Sequence, residues 1–324
     1  MAVVIDPTVA ANIVGQLGTM VATGRWLQPA PRGTMRGVDF YPATDFVSAL
    51  VFSAQIFKNT HGFVPMLAAP SSFNEHIFVR KFFAALPMPS LADKLEARAY
   101  VQARLGDAIL PSVVWVGDAI DALFEGALPS GRFVLKSSLG SGTNQILNLP
   151  ADLVTRRGEI EKRAAEWLAS RFGYAWGEWQ YCTAKPRLFL EVFFDFNPGT
   201  APDGFKIFCF KGKARMIQVH LDRYTRHRCA NYDVTWKHLP VAYRGYEIAQ
   251  RRRPDNLDAL IEVAEKIAAD LEFARIDLYT DGKRIIKFGE ITLTPGNANA
   301  AYSDFKFDRW LGTFFAPAAV AAPR

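Results

Sequence analysis

Cysteine is scarce: Cys182, Cys209 and Cys229 are the three in 324 residues. An odd number with no Cys-x-x-Cys spacing supports neither a disulfide framework nor a zinc site, and a reducing cytoplasm is the simplest compartment. The five histidines have no metal-ligand spacing, and no Ser/His/Asp or Cys/His grouping of nucleophile and base is legible. Long apolar runs are missing too. The longest apolar-leaning stretch, 46–57, carries Ser48, Ser53 and Gln55, far short of the ~20 residues of a membrane span. Asp6 stands where a signal peptide would need a basic segment. Neither GxxxxGK[ST] nor GxGxxG occurs, so the common phosphate-loop and dinucleotide fingerprints are excluded. No internal repeat appears.

What remains is an ordinary globular composition, 50% hydrophobic, 22% charged and 13% aromatic, which excludes disorder and collagen. The length suits two compact units, with room for a cleft between them. An excess of 38 basic over 32 acidic residues gives +6, a balance that suits anionic partners or simply a solvated basic surface.

Residues 1–90 are rich in Pro, Gly and Ala and read as a loop-rich region with short helices, above all 44–58. Ser90 followed by Asp93 predicts a capped helix that Gly106 closes. Val113 to Val116 and Phe133 to Lys136 read as strands. Ile160, Ala164, Trp167, Leu168 and Phe172 lie on one helical face that packs on a sheet. The runs 205–210 and 214–221, joined through Lys211-Gly212-Lys213, predict a tight hairpin. A helix opening at Pro254-Asp255 follows, with Leu257, Leu260, Ile261, Ala264 and Ala268 inward, and then a second hairpin, 273–280 with 284–292. The mixture argues for α+β layers over a doubly wound parallel sheet.

Three segments carry candidate chemistry. After the strand ending at Lys136 comes Ser137-Ser138-Leu139-Gly140-Ser141-Gly142, whose glycines let backbone N–H groups turn inward around an anion while the lysine adds a point charge. Taken alone, such a loop is also an ordinary turn. Arg275 and Asp277 share one strand face, as do Glu290 and Thr292 on the next strand. Paired carboxylates with a hydroxyl suit Mg²⁺ completed by ATP phosphates; an exposed face with scattered charges is the competing reading. A turn at Asp281-Gly282 leaves the two acids on one face but offset, and a turn centred on Lys283-Arg284 sets them opposite one another. A three-residue loop, Asp281 to Lys283, would separate them. Third, Asp222 to Arg228 packs Arg223, Arg226, His227 and Arg228 together, a fork for carboxylate or phosphate or a solvated loop.

In chain order, Lys94 on a capped helix, Lys136 before the glycine loop, Glu191 at a strand end, Lys206, Arg275/Asp277 and Glu290-Ile-Thr292-Leu-Thr-Pro295-Gly296 resemble the ATP-grasp superfamily. D-alanine:D-alanine ligases show the same succession. The likeness is closer to the TupA-like ATP-grasp family, through Ser72-Phe73-Asn74-Glu75, Leu91-Ala92-Asp93-Lys94, Glu178-Trp179-Gln180-Tyr181, Lys185-Pro186-Arg187, Phe205-Lys206, Asp222-Arg223, Arg275-Ile276-Asp277 and Gly289-Glu290. It covers roughly residues 55–310. It implies an α+β ATP-grasp fold of two lobes gripping ATP: an N-terminal region 1–90, a first lobe 91–190 with the lysine helix and Gly-Ser loop, and a second lobe 191–324 with the metal site.

Residue by residue, the resemblance implies that Lys94 and Lys136 contact ATP phosphates, that Gly140-Ser141-Gly142 folds over them, and that Glu191 with its following backbone holds adenine. The resemblance also implies that Lys206 approaches the phosphates, that Asp277 and Glu290 would bind Mg²⁺ together with Thr292, and that Arg275 would stabilise the transferring charge. Thr292 stands where the ligases carry Asn, Val192 where a second acid is common, and Gly204 where an acid often precedes the aromatic-lysine pair, with Asp203 beside it for the ribose. The implied activity is carboxylate–amine ligation through an acyl phosphate. It needs no nucleophile, only positioning and charge neutralisation. Arg223, Arg226 and Arg228 are the candidates for an acidic small-molecule or glycan acceptor in surface-polymer synthesis, which would allow peripheral contact with a lipid-linked saccharide. ATP-dependent phosphorylation of a sugar hydroxyl, or non-catalytic glycan binding, are the rival readings. Nucleic acid is disfavoured because the arginines are not interleaved with stacking aromatics.

Overall fold

The computed structural model describes residues 4–23, 43–84, 86–87, 90–170, 172–173, 177–182, 184–194, 196, 202–223 and 225–315. The Pro- and Gly-rich stretch 24–42, Tyr224 of the basic loop and the Ala- and Pro-rich tail lie outside them. Three helices come first: α1 (Pro7–Ala22), α2 (Ala43–His61) and α3 (Phe73–Phe83). Asp6, read above only as arguing against a signal peptide, caps α1 by accepting from the Thr8 amide at 2.8 Å, with Pro7 at the first helical position. The helix α3 starts in a full capping box, Ser72 with Glu75. Next is α4 (Lys94–Leu105). Its cap is Asp93, which accepts from the amides of Leu95 and Glu96, so the predicted Ser90–Asp93 box is replaced by a simple Asp cap. Gly106, at φ +70°, ends the helix as expected.

A four-stranded sheet follows, built from β1 (Val113–Gly117), β2 (Gly131–Ser137), β3 (Asn144–Leu149) and, after α5 (Asp121–Glu125), α6 (Ala151–Thr155) and α7 (Arg157–Ala169), β4 (Leu188–Val192). Its order is β1-β4-β2-β3, antiparallel throughout. Ile160 and Ala164 of α7 pack beneath it with Phe133, Leu135 and Leu190, the packing predicted from the helical spacing. The strand β3, which sequence patterning missed, returns immediately from the glycine loop.

The second sheet holds seven strands: β5 (Gly204–Phe210), β6 (Lys213–Leu221), β7 (Arg228–Asp233), β8 (His238–Leu239), β9 (Glu247–Ile248), β10 (Phe273–Thr280) and β11 (Ile286–Thr292). The order is β11-β10-β5-β6-β7-β8, with β9 parallel to β7 and every other pair antiparallel. Hence the fold is α+β. Lys211 and Gly212, at φ +49° and +73°, make the two-residue turn between β5 and β6. On one face of this sheet, Ile207, Ile217, Ala274, Ile276 and Leu278 pack against α8 (Leu257–Ala268) and against Ala97 and Val101 of α4. The helix α4, grouped by sequence with the segment 91–190, therefore shares its core with the larger sheet. The opposite face, with Phe208, Phe210, Met216 and Phe273, is covered by α1, α2, α3 and α9 (Phe305–Gly312). Among the described residues no helix is long and apolar enough to cross a membrane.

Candidate active site

Period-two geometry concentrates polar side chains on the second face. One cross-strand row runs Glu290, Asp277, Lys206, Gln218, Asn231, each directly opposite the next on β11, β10, β5, β6 and β7. Four of the five are buried and Glu290 is half-buried, an arrangement tolerable only if they satisfy one another. Arg275 does much of this. Its Nε donates to Asp277 Oδ1 at 2.7 Å, and its Nη2 donates to Asp277 Oδ2 at 2.9 Å, Glu290 Oε1 at 3.0 Å and Thr292 Oγ1 at 2.9 Å. Lys206 donates to Asp277 from the other side.

The pairing of the two acids depends on a bulge. Asp281 accepts from the amides of Lys283, Arg284 and Ile285 at 2.9 Å, closing a five-residue loop that pairs Thr280 with Ile286 and Leu278 with Phe288. Continued unchanged, that register would put Glu290 on the wrong face, the separation expected of an odd-length loop. The ladder shifts between Asp277 and Leu278, leaving Gly289 as the extra residue and Glu290 opposite Asp277.

Electrostatics follow from burial and proximity. Burial would raise the Asp277 carboxyl, but Arg275 and Lys206 outweigh it and hold the group far below the usual carboxylate range. Burial, reinforced by the Arg275 charge, pushes the Lys206 ammonium down to about 8. Lys136, on β2, forms an ion pair with Glu191 of β4, which prevails over burial and keeps the amine charged. Arg98 approaches Glu191 at 3.6 Å, and the amides of Val192 and Phe193 donate to Ser112 and Arg132 carbonyls. Lys94, lowered by burial, donates to the Gly140 carbonyl at 2.7 Å and so ties α4 to the glycine loop. Glu290 attracts Lys94, Lys136, Lys206 and Arg275 alike. Of the four, Arg275 is bonded to it directly, at 3.0 Å.

A cavity of about 540 Å³ opens over this cluster, lined by Gly140 and Ser141 on one side and by Lys206, Arg223, Arg275, Glu290 and Thr292 on the other. Asp277 lies beneath it through its bonds to Arg275 and Lys206. Arg226 and Arg228 turn elsewhere: the first pairs with Glu247 at 2.7 Å and is 80% exposed, the second pairs with Asp222. Asp203 pairs with Arg251 at 2.7 Å. Among the described residues no three His, Cys, Asp or Glu groups could hold a metal; two carboxylates and a threonine hydroxyl leave most of a cation's shell to other oxygens. Sequence reasoning missed His220, Tyr243 and Arg244 on the wall, and read His227 only as a member of the basic loop, because no local spacing marks residues brought in from separate strands and loops. Glu178, quoted only for the likeness, is buried in the wall and accepts from Thr294 Oγ1 at 2.6 Å. Asn297 lines it too, its Oδ1 held at 2.7 Å by the fully buried Lys81.

No curated protein matches the chain. Among solved structures it is similar to an L-amino acid ligase from Bacillus licheniformis, at 16% identity and TM-score 0.43 over 78% of this chain and 56% of that one. It is similar as well to a D-alanine–D-alanine ligase from Bacillus anthracis, at 14% identity and TM-score 0.37 over 64% of this chain and 58% of that one. A third is the ATP-grasp ligase PsnB complexed with minimal precursor, Mg and ADP, at 13% identity and TM-score 0.36 over 64% of this chain and 51% of that one. The chain thus spans little more than half the length of each. The description of the TupA-like ATP-grasp family matches residues 76–316, which takes in most of α3, both sheets, the glycine loop and the whole polar row, so the protein belongs to the TupA-like ATP-grasp family.

Proposed function

We propose that the protein is an ATP-dependent carboxylate–amine ligase: ATP phosphorylates a carboxylate, an amine displaces phosphate from the acyl phosphate, and ADP and phosphate leave. The observation that carries this reading is the row Lys206, Asp277, Glu290, with Arg275 bridging the two acids, beneath the loop Gly140-Ser141. Phosphoryl transfer asks the protein chiefly for positioned charge, and this cluster contains little else. Lys94, Lys136 and the Gly140-Ser141-Gly142 loop would hold the phosphates, with Gly140 and Gly142 at φ +101° and +73° free to turn their amides inward. Glu191 keeps the Lys136 amine in place at the hinge end, where the base would lie.

The donor set fits Mg²⁺, since all candidate ligands are oxygens. Asp277 already accepts from Arg275 and Lys206, so Glu290, the more exposed acid, offers the more open position, with Thr292 beside it on the cavity wall. Bound there, the cation would neutralise phosphate charge. Arg223, on the cavity wall, is placed to take the substrate carboxylate, which we assign to an acidic sugar or peptide of a surface polymer.

The test is thermal unfolding with and without Mg²⁺ and ADP, in the wild type and in Glu290→Gln. A ligand that binds only the native state stabilises by about 2.7 kcal/mol at ~100 Kd. A magnesium-dependent rise that the variant loses supports the site; no rise at millimolar nucleotide refutes it. Hydroxylamine then separates ligation, which gives a hydroxamate, from phosphorylation of a sugar hydroxyl, which does not.

A further inference from the structure

On the wall opposite the glycine loop, a chain of buried side chains ends at His227. Asn231 Nδ2 lies 2.9 Å from the Val241 carbonyl, Gln218 Nε2 lies 3.0 Å from Asn231 Oδ1, His220 Nε2 lies 2.9 Å from Gln218 Oε1, and His227 Nε2 lies 2.7 Å from His220 Nδ1. Gln218 and Asn231 are completely buried, and His220 nearly so. A peptide carbonyl only accepts, so it orients the whole chain. Asn231 must present its amide nitrogen to Val241 and its oxygen to Gln218. Gln218 must then present its oxygen to His220, whose Nε2 therefore carries hydrogen. A neutral His220 has only the lone pair of Nδ1 left, and accepts from His227 Nε2–H. The proton-free nitrogen of His227 is thereby Nδ1, on a ring that lines the cavity beside Arg223.

The surroundings keep both rings neutral. His220 is buried and faces the charges of Lys206, Arg223 and Arg275, which push it down to about 2. Partial burial, then Arg223 and Lys206, lower His227 as well. Its ring lies against Tyr246 at 4.1 Å between centroids, Arg244 shares the wall, and no carboxylate among the described residues is bonded to it.

We propose that His227, its tautomer set by His220, takes the proton that the attacking amine sheds as the amide forms. The inference rests on the ligase reading. The amine enters as the free base, its lone pair forms the C–N bond, the bond to phosphate oxygen breaks with its electron pair, and the N–H proton passes to His227 Nδ1. Proton transfer is favourable at that stage, because nitrogen bonded to the tetrahedral carbon is far more acidic than a free ammonium. His220 is a positioning residue.

Two measurements on the full chain test this. In histidine ¹⁵N-labelled protein, two-bond ¹H–¹⁵N correlations should show His227 neutral with hydrogen on Nε2 at pH 7; a charged ring, or hydrogen on Nδ1, overturns the proposal. In His227→Gln, ADP release driven by glycine and a panel of uronic acids should fall by at least ~100-fold and lose the acidic limb of its pH profile. Hydroxamate formation should stay within about twofold, because hydroxylamine is weakly basic and needs less help. Equal loss with both nucleophiles makes His227 structural and overturns the proton role alone. Absence of hydroxamate from the wild type with every acid overturns the ligase reading and the proton role with it.

Discussion

Asp277 sits directly opposite Glu290 across β10 and β11 only because Gly289 is bulged out of the ladder between them and the turn. The five-residue loop alone would have sent the two carboxylates to opposite faces. One glycine therefore decides whether Glu290 joins Asp277 on the cavity side of the sheet.

Gly289→Ala tests that dependence. A Cβ there would fall 2.8 Å from the Tyr279 ring and 3.1 Å from the Asp277 carbonyl, and the backbone contact cannot be relieved by a rotamer change. The expected cost is about 1–3 kcal/mol, with most of the magnesium-dependent stabilisation by ADP lost. Gly282→Ala in the turn, at φ +79°, should cost about 1 kcal/mol and keep the nucleotide response. Urea unfolding with and without Mg-ADP reads both, and a full response from Gly289→Ala would dismiss the bulge as the device that sets the register.

Replacing Asp277 by Asn leaves the buried Arg275 and Lys206 short of counter-charge, at a cost of about 3 kcal/mol. Thr292→Ala loses the bonds to Arg275 at 2.9 Å and to Glu290 at 3.2 Å, at about 1 kcal/mol. The Asp277 carboxyl is depressed in the folded state. Its contribution is therefore complete above the ordinary carboxylate value near ~4 and is lost as pH falls below it. The Asn variant should show a flatter acid limb below about pH 4 in denaturant titrations.

Asp308 presents the opposite sign. It is buried on α9, accepts from the Asn74 side chain at 2.8 Å, and burial raises it to about 6. A raised carboxyl contributes stability below the unfolded value of 3.8 and loses it as pH climbs through about 6. At neutral pH the ionised group is a liability. Asp308→Asn should be more stable than wild type by about 2 kcal/mol at pH 8, with the advantage gone near pH 4. Equal stability at both values would show that the carboxylate is solvated in practice.

The three arginines of the 223–228 loop divide by where they point. Arg223 lines the cavity, whereas Arg226 and Arg228 are engaged by Glu247 and Asp222 at the surface. Arg223→Ala should lower kcat/KM for the acid by about 100-fold, while Ala at 226 or 228 changes it less than about twofold, since exposed pairs contribute under ~1 kcal/mol. Hydroxylamine-coupled ADP release is the assay, and a comparable loss at Arg226 would mean that the whole loop closes on the substrate.

The sequence by itself determined what depends on neighbours a few residues apart. Lys211-Gly212 specified a two-residue turn, Gly106 a helix end, and the alternation through 273–280 put Arg275 and Asp277 on one face, because φ preferences and the period of two are local properties of the chain. The ordered series Lys94, Lys136, Lys206, Asp277, Glu290 was legible only through its resemblance to the ATP-grasp superfamily. Signals were overlooked even so: the capping box Ser72–Glu75 announced α3, and the apolar positions of β3 were hidden by the polar residues of its outer edge. What only the tertiary structure decided was which distant groups share a wall. The pairing of β6 with β7 brings Gln218 opposite Asn231 and puts His220 beside His227, α4 buries Ala97 and Val101 under the larger sheet, and the shift at Gly289 rescues the pairing of the two acids. Those choices minimise exposed apolar surface and unpaired buried polar groups summed over the whole chain, a balance that no window of the sequence contains.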